Sequence, residues 1–285
     1  MGRARPGDVV VVTGASSGLG LDASLTLAAR GYRVAAGYRD PRDRARLSDI
    51  DGVTPLVMDV TDEAGLREAA ADARLLGARV AGLVVNAGVA VGAPVELTPP
   101  AALRRALDVN VVGAVSSIRA FLPDVRAGRG RVLLMSSVSG RRSAPVVGPY
   151  AATKYALEAL GDALRMEVRR QGVDVVILEP GSVRTPIWGK SRRAGDEAVA
   201  DADPAVISLY DDMLAAGRRV TERARVSGLD PAVVSEAILR VLESPRPPTR
   251  VPLGRRVPLQ TRILARILPD RVFDRIRLRA MGIRR

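Results

Sequence analysis

Tyr150 and Lys154 stand four residues apart in the stretch PYAATK, and Ser137 precedes Tyr150 by thirteen residues. On a helix, residues four apart share a face, so the Lys154 ammonium would lie beside the Tyr150 phenol. A neighbouring cation favours the phenolate and lowers the pKa of a tyrosine, which is about 10 when unperturbed. The Ser137 hydroxyl would then hold a carbonyl or alkoxide oxygen against the phenol. These three residues predict an acid–base site that acts on oxygen atoms.

A glycine-rich turn near the N-terminus predicts a binding site for a dinucleotide. The turn directly follows an apolar run, Asp8–Thr13, and opens a segment with helical spacing. Glycines in this setting permit a tight turn and let a pyrophosphate approach the backbone at a helix N-terminus. The spacing G-x-x-x-G-x-G differs from the G-x-G-x-x-G fingerprint, so a purely structural glycine turn is the alternative. The three glycines are Gly14, Gly18 and Gly20.

The composition excludes several kinds of active site. The 285 residues include no cysteine, which excludes disulfides and thiolate metal sites, and no histidine, which excludes Ser-His-Asp triads. Acid–base chemistry must therefore use Tyr, Lys, Asp or Glu, and we expect no metal site. Lys154 and Lys190 are the only lysines among 44 basic residues. A chain that nearly always uses arginine has thus kept, near Tyr150, a compact ammonium whose pKa responds to its surroundings.

The net charge of +13 is unevenly distributed along the chain. Residues 246–285 contain 12 arginines and two aspartates, and so carry +10 of that charge. Nucleic-acid binding would depend on this tail, which offers only Phe273 for stacking on bases, and we expect none. We also expect no stretch long and apolar enough to span a bilayer, and no signal peptide is recognisable. The predicted location is the cytoplasm.

Apolar runs alternate with segments of helical period, which predicts an α/β fold whose parallel sheet is covered by helices on both faces. The alternation breaks between Pro180 and Asp230, where one or two helices are predicted in a lid or substrate-binding loop (180–230). Longer helices are predicted over about Gly18–Arg30, Asp62–Leu76, Pro100–Leu122 and Val147–Gln171. The predicted strands are Asp8–Thr13, Tyr32–Gly37, Thr54–Met58, Ala81–Asn86, Arg131–Ser136, Asp174–Glu179 and Arg250–Leu253.

Residues after the predicted strands indicate which dinucleotide binds. Arg39 follows the second strand, where an acidic residue would bind an adenosine 2′-hydroxyl and a guanidinium suits a 2′-phosphate. We therefore expect NADP(H) rather than NAD(H), while Asp40 would either pair with Arg39 or cap the next helix. Asn86 and Gly88 end the fourth strand, where a turn would pass beside the cofactor. Asn110 either opens a helical ladder and holds a water, or lies on a helix surface.

Together these residues resemble the short-chain dehydrogenase/reductase family, in its single-domain branch, over roughly Val9–Leu253. The segment TGASSGLG resembles the family's cofactor turn, and the catalytic tetrad matches in order and spacing at Asn110, Ser137, Tyr150 and Lys154. The resemblance implies a Rossmann-type, doubly wound sheet of about seven parallel strands in residues 1–253, with a basic helical tail in 254–285. The cofactor-binding positions that it implies are Gly14, Ser16, Ser17, Gly18, Leu19, Gly20, Arg39, Asp59, Val60, Asn86, Ala87, Gly88, Tyr150, Lys154, Pro180, Gly181, Val183 and Thr185.

The resemblance also implies a mechanism, in which a hydride moves between nicotinamide C4 and the carbinol or carbonyl carbon of a substrate. Tyr150 would exchange the proton with the substrate oxygen, which Ser137 would orient. Lys154 would bind the nicotinamide ribose and lower the pKa of Tyr150, and Asn110 would hold a water that connects Lys154 to solvent. The alternative is an NADP-binding sensor or scaffold without turnover, against which the intact Ser137, Tyr150 and Lys154 argue.

We expect the substrate to be a bulky lipophilic alcohol, ketone or aldehyde. The pattern resembles hydroxysteroid and retinol dehydrogenase-like members of the family, which suggest a homodimer or homotetramer as well. Arg141 and Arg142 would either face an acidic group of the substrate or lie in a solvated loop. The residues expected around the substrate are mostly apolar: Val138, Ser139, Ala144, Val147, Ile187 and Trp188.

The basic tail contains two amphipathic segments separated by Pro269. Such helices would lie on an anionic membrane surface, cover the mouth of the site, or pack on the body or on a partner subunit. The first segment has its apolar face at Ile263, Leu264, Ile267 and Leu268, and the second at Val272, Phe273, Ile276 and Ala280.

Overall fold

The computed structural model describes residues 3–77, 79–254 and 268–283. Seven strands form one sheet in the order β3-β2-β1-β4-β5-β6-β7, and every neighbouring pair is parallel. The predicted Rossmann-type sheet of seven parallel strands is therefore confirmed. The strands are β1 Val9–Val12, β2 Arg33–Tyr38, β3 Val53–Val57, β4 Val80–Val85, β5 Arg131–Met135, β6 Asp174–Pro180 and β7 Arg250–Leu253.

Helices cover both faces of this sheet. Apolar residues of the inner strands are buried on both sides, which explains why β1 and β4 are almost continuous runs of valine, alanine and leucine. The helices are α1 Gly18–Ala29, α2 Arg44–Ser48, α3 Glu63–Leu75, α4 Pro100–Leu107, α5 Gly113–Ala127, α6 Gly148–Glu167, α7 Ile187–Val199, α8 Pro204–Ser208, α9 Asp211–Ser227, α10 Pro231–Glu243 and α11 Asp270–Ala280.

The two larger apolar clusters of the described residues lie one on each face of the sheet. On one face, Leu27 of α1 and Ile238 of α10 pack against the strands. On the other face, Leu66 of α3, Phe121 of α5 and Leu157 of α6 do the same. The strand order reverses between β1 and β4, and the carboxyl ends of the strands on either side of that reversal form a crevice, which is where α/β sheets bind ligands.

One expectation about the membrane needs correction. The continuous helical span Pro100–Ala127 is long and apolar enough, by length and composition, to cross a bilayer, whereas the sequence was expected to contain no such stretch. In the fold, Phe121 and Val125 of this span are fully buried in the core beside β4. A core helix passes the same test of length and composition, so the span is weak evidence for membrane insertion.

The segment between β6 and α10 is more helical than predicted. Three helices, α7, α8 and α9, occupy a stretch in which one or two were expected. A hydrogen bond from the Tyr210 hydroxyl to Glu96, at 2.5 Å, joins this segment to the loop that follows β4. Close packing adds a second connection, because a Cβ on Gly195 of α7 would lie 2.2 Å from the Gly92 carbonyl oxygen.

The described part of the tail contains α11. Phe273 is buried and Asp270 pairs with Arg142, so this helix packs on the body of the protein. The predicted apolar positions Ile263, Leu264 and Ile267 lie outside the described residues. Of the second predicted apolar face, Val272, Ile276 and Ala280 are exposed.

Candidate active site

The predicted site residues follow the carboxyl ends of six strands, and these ends lie along one edge of the sheet. The glycine turn follows β1, Arg39 follows β2 and Asp59 follows β3. Asn86 follows β4, Ser137 comes shortly after β5, and the segment from Pro180 to Thr185 begins at the end of β6. Because all the strands are parallel, residues from distant parts of the sequence meet at this edge.

The glycines of the turn are required by the geometry of their surroundings. Gly14 and Gly18 have φ values of +64° and +57°, which favour glycine. A Cβ on Gly14 would lie 2.8 Å from the Cα of Ala87, and one on Gly20 would lie 2.2 Å from the Gly14 carbonyl oxygen. The turn is therefore packed directly on the segment that follows β4, and any side chain at these positions would separate the two.

Hydrogen bonds of Thr13 and Asn86 join the same two segments. The Thr13 hydroxyl accepts from the backbone N–H of Asn86 at 3.0 Å and of Ala87 at 3.1 Å. The Asn86 amide donates to the carbonyl oxygens of Thr13 and Gly14, at 3.0 and 3.1 Å. Thr13 was not among the predicted site residues. A hydroxyl placed directly before the first glycine was the available signal.

The N-terminus of α1 fits a phosphate group. Ser17 precedes the helix in an extended conformation and makes no capping hydrogen bond with its side chain, and the first turn contains no acidic residue. The N–H groups of that turn and the helix dipole favour an anion there. The glycine positions, at which a Cβ would clash, leave room for the backbone to approach it. Ser16, Ser17, Gly18 and Leu19 are all half-buried beside this helix end.

The residues after β2 and β3 form the end of the site where an adenosine would lie. Asp40 caps a short 3₁₀ turn and pairs with Arg42 rather than with Arg39. Arg39 is exposed, and none of the described residues forms an ion pair with it at contact distance. Burial opposes ionisation of Asp59, but hydrogen bonds from Thr61 and the charge of Arg39 together lower the pKa of Asp59. Val60, beside Asp59, is buried.

Asn110 lies in a π-helical turn, Asp108–Val112, between α4 and α5. The predicted opening of the helical ladder is thus present, and the residue is 1% exposed rather than on a helix surface. Its side-chain oxygen accepts from the Val89 N–H, and its amide donates to the Val89 carbonyl, both at 2.8 Å. The amide also donates to the Thr153 hydroxyl at 2.9 Å. Asn110 therefore fastens the loop after β4 to α6, one residue before Lys154.

Ser137, Tyr150 and Lys154 meet at the N-terminal part of α6. Ser137 is close enough to Tyr150 to lower the pKa of its phenol. The Lys154 ammonium lies 5.6 Å from the centre of the Tyr150 ring and donates to the Met135 carbonyl of β5 at 2.8 Å. The fold thus brings together the three residues that the sequence singled out, and both Ser137 and Lys154 lie close to Tyr150.

The pKa of Tyr150 differs from the expectation. Burial raises it to about 12, and Ser137 only partly opposes that rise. The expected lowering by Lys154 is not found. Burial lowers the pKa of Lys154 itself to about 8, while the charge of Glu158 acts in the opposite direction. Tyr150 therefore holds its proton at neutral pH.

The six predicted substrate residues are all half-buried. Val138, Ser139, Ala144 and Val147 lie in residues 137–147, hereafter the strap, which connects β5 to α6. The strap contains Val146 with a φ of +68°, a strained conformation for a branched residue. Ile187 and Trp188 begin α7, and the Trp188 indole donates to the Val183 carbonyl at 2.6 Å.

The segment after β6 approaches the glycine turn from the other side. A Cβ on Gly18 would lie 3.4 Å from the Cβ of Thr185. Gly181 donates its N–H to the Leu253 carbonyl at 2.9 Å, and Val183 is buried, so the start of the segment is tied to β7. Thr185 thus lies beside the glycine turn, while Gly181 is held against β7.

The expectation of a solvated loop at Arg141 and Arg142 was wrong. Arg141 turns inward and pairs with Glu179 at 3.4 Å and with Glu158 at 3.8 Å, two carboxylates that are almost fully buried. Arg142 turns outward to the tail, where it pairs with Asp270 at 2.9 Å and lies 4.7 Å from the centre of the Phe273 ring. Both arginines therefore pair with carboxylates of the protein.

Comparison with known proteins agrees with this geometry. The model of the short chain dehydrogenase family matches residues 8–196. An uncharacterized oxidoreductase of Escherichia coli, YbbO, is 32% identical, covering 94% of this chain and 93% of that protein. Human 17-beta-hydroxysteroid dehydrogenase type 1 is 34% identical, covering 85% and 76%. The NADPH-dependent 3-dehydrocapnine reductase of Ornithobacterium rhinotracheale is 30% identical, covering 93% and 94%.

Solved structures show the same fold. A short chain dehydrogenase/reductase of Burkholderia phymatum in complex with NAD has a TM-score of 0.76 at 25% identity, covering 88% of this chain and 90% of that one. A short chain dehydrogenase of Burkholderia cenocepacia in complex with NADP has a TM-score of 0.71 at 25% identity, covering 95% and 97%.

Proposed function

Because this chain belongs to the short chain dehydrogenase family, we propose that it reduces the carbonyl group of a bulky lipophilic substrate with NADPH, and catalyses the reverse oxidation of the alcohol. Membership of the family makes the chain an oxidoreductase that acts on CH–OH groups and binds a nicotinamide cofactor. The cofactor supplies or accepts the hydride. The observation that carries the proposal is the contact of Ser137 and Lys154 with Tyr150 at the carboxyl edge of the sheet.

Tyr150 is the proton donor in the direction of reduction. A phenol with a pKa near 12 is protonated at neutral pH, so it can give a proton to a carbonyl oxygen that gains negative charge as the hydride arrives. Ser137 donates its hydroxyl proton to the same oxygen and orients it. In the reverse direction Tyr150 must first lose its proton, which a pKa near 12 disfavours at neutral pH.

Lys154 and Asn110 position the remaining groups. Lys154 holds the nicotinamide ribose and provides the positive charge near the phenol. Asn110 keeps the loop after β4 against α6 through Val89 and Thr153, which aligns the glycine turn side of the site with Tyr150. The water that Asn110 was expected to hold stays a prediction. The side-chain amide of Asn110 already donates to two protein groups, Val89 and Thr153.

The preference for NADP(H) is supported by charge. The exposed guanidinium of Arg39 is not taken up by Asp40, which pairs with Arg42 instead. An exposed arginine at the adenosine end suits a 2′-phosphate better than a 2′-hydroxyl. The reductase of Ornithobacterium is named as NADPH-dependent, while related structures contain either NAD or NADP. The remaining cofactor positions are those at the glycine turn and after β3, β4 and β6.

The lipophilic substrate is supported by the wall of the site and by one relative. Val138, Ala144, Val147, Ile187 and Trp188 provide a mostly apolar, half-buried lining. The human relative is named as a hydroxysteroid dehydrogenase, an enzyme of a bulky lipophilic alcohol. We extend that substrate class, and not a particular steroid, to this chain.

Assembly and location follow the same reasoning. We propose a homodimer or homotetramer built on the α4–α5 span and on α6, because Val112, Tyr155 and Met166 are exposed apolar side chains on those helices. We assign residues 1–253 to the catalytic domain and 254–285 to the tail. Cytoplasmic location and contact of the tail with a membrane stay predictions from the sequence.

The test is NADPH consumption over a panel of steroid, retinoid, aliphatic and quinone carbonyls, with Tyr150→Phe as the variant. We expect turnover to fall by about 10³-fold or more in the variant while NADPH binding is retained, because only the proton donor is removed. Turnover that survives in Tyr150→Phe would contradict the assignment. Tight NADPH binding without turnover on any carbonyl would favour the sensor, and a preference for NADH would overturn the assignment of Arg39.

A further inference from the structure

Four buried or half-buried charged side chains form a cluster directly behind the proposed catalytic residues. Glu158 of α6 is 4% exposed and Glu179 of β6 is 1% exposed. Arg250 of β7 lies 3.2 Å from Glu158 and 3.3 Å from Glu179, and Arg141 of the strap bridges the same two carboxylates. Two cations and two anions thus share one site that the proposed reaction does not use.

The cluster connects the elements that carry Ser137 and Lys154. Glu158 lies one helical turn after Lys154 on α6, so the two side chains share a face. Gly140 of the strap is packed between them, because a Cβ there would lie 2.9 Å from the Lys154 carbonyl oxygen and 3.0 Å from the Glu158 Cγ. Arg141, the next residue, anchors the strap to the buried carboxylates. The ion pairs of Arg141 therefore hold the strap, which carries Ser137, against α6, which carries Lys154.

Among the described residues, Lys154 is faced on α6 by Tyr150 and Glu158, and on β5 it meets the uncharged Met135 carbonyl. Glu158 in turn is faced by the two arginines, and Glu179 of β6 shares both of them.

We propose that Glu158 is a positioning residue, which keeps the Lys154 ammonium charged in its buried place and, through Arg141, keeps the strap with Ser137 against α6. Without a carboxylate there, a buried lysine would shed its proton more readily, since desolvation disfavours the charged form. The pKa of Lys154 supports this role. Burial lowers that pKa to about 8, and the charge of Glu158 acts in the opposite direction and raises it. The effect of Glu158 on catalysis rests on the proposed function. Its effect on the charge of Lys154 does not.

The chain offers a direct test, because Lys154 and Lys190 are its only lysines. Protein labelled with ¹³C at lysine Cε gives two NMR signals, and the exposed Lys190 serves as the internal reference. We expect Glu158→Gln to lower the titration midpoint of Lys154 by about 1 pH unit. Asp162→Asn is the matched control. Asp162 lies one turn further along α6 and pairs with the same Arg250 at 2.7 Å, and we expect no change there.

The pH profile of kcat/KM for carbonyl reduction gives the second measurement. In Glu158→Gln the alkaline limb of this profile should move to lower pH by the same amount as the Lys154 midpoint. In Glu158→Asp and in Asp162→Asn it should keep its position. An unchanged Lys154 midpoint in folded Glu158→Gln overturns the inference. If the Lys154 midpoint shifts in Glu158→Gln but the wild-type protein reduces no carbonyl, the inference is supported. The missing turnover then contradicts the proposed function alone.

If Glu158→Gln does not fold, Arg141→Gln carries the test. Removal of a cation beside Glu158 leaves its carboxylate less compensated, so the Lys154 midpoint should rise rather than fall. A midpoint that does not move in Arg141→Gln overturns the inference.

Discussion

The glycine turn after β1 and the strap after β5 leave the same edge of the sheet, yet different interactions hold them. Neutral hydrogen bonds of Thr13 and Asn86 and direct backbone packing hold the turn. Ion pairs hold the strap, with Arg141 joined to buried carboxylates and Arg142 joined to the exposed Asp270 of the tail. The strap therefore depends on charge, and the turn on shape.

The difference suits what each segment contacts. A turn to which we assign a negatively charged cofactor gains from N–H groups and from the absence of acidic side chains. The strap borders the residues to which we assign proton exchange, where nearby charges decide which groups are protonated. Within the strap itself, Arg141 pairs with buried carboxylates and Arg142 with an exposed one, so the two neighbours should differ in their contribution to stability.

The largest expected effect is at Arg141. Arg141→Ala removes one of the two arginines that pair with the buried Glu158 and Glu179, and breaking a buried pair in this way costs roughly 3 kcal/mol of unfolding free energy. Arg142→Ala is the matched control, because its partner Asp270 is 87% exposed and such a pair contributes under about 1 kcal/mol. Urea unfolding measures both. Equal losses would contradict the expected difference between the two ion pairs.

A smaller effect is expected in the turn. Gly20→Ala places a methyl group 2.2 Å from the Gly14 carbonyl oxygen, and overpacking of this kind costs roughly 1–3 kcal/mol. We also expect weaker NADPH binding, measured by the fluorescence of the bound dinucleotide. The control is Gly189→Ala in α7, where a Cβ meets nothing within 4 Å and a helical alanine should stabilise by about 0.5–1 kcal/mol. Unchanged binding in Gly20→Ala would show that shape does not hold the turn.

The smallest effect tests whether the turn is insensitive to charge. Asn86→Ala removes the amide that donates to the carbonyls of Thr13 and Gly14, and we expect a loss of about 1–2 kcal/mol. Because the bonds are neutral, that loss should be the same at low and at high salt, whereas the contribution of Arg142 should shrink as salt rises. Chemical unfolding at two salt concentrations measures this. If the loss of stability in Asn86→Ala depends strongly on salt, the turn is not held by neutral interactions, and the contrast with the strap is wrong.

The sheet and the meeting of Ser137, Tyr150 and Lys154 were predictable because each depends on local sequence. Buried strands read as apolar runs, and the spacing of Tyr150 and Lys154 by four residues on a helix leaves little choice of relative position. Thr13 was missed because its hydroxyl acts on Asn86, more than seventy residues away. The third helix between β6 and α10 was missed because the segment is too polar and irregular for its helices to be separated by pattern.

The directions of Arg141 and Arg142 could not be predicted. Their partners come from α6, β6 and the tail, and the Arg142–Asp270 pair spans 128 residues of sequence. The pKa of Tyr150 was predicted in the wrong direction for a similar reason. A neighbouring lysine is visible in the sequence, but the burial that raises the pKa to about 12 depends on everything packed around the phenol.

The sequence by itself determined the sheet, the glycine turn and the closeness of Tyr150 and Lys154. Those features follow from backbone requirements and from spacing within one element, which adjacent residues settle. Only the tertiary structure decided which arginine pairs with buried carboxylates, what anchors the strap, and how strongly Tyr150 and Lys154 hold their protons. Desolvation and ion pairing depend on which distant residues come together, and only the folded chain brings them together.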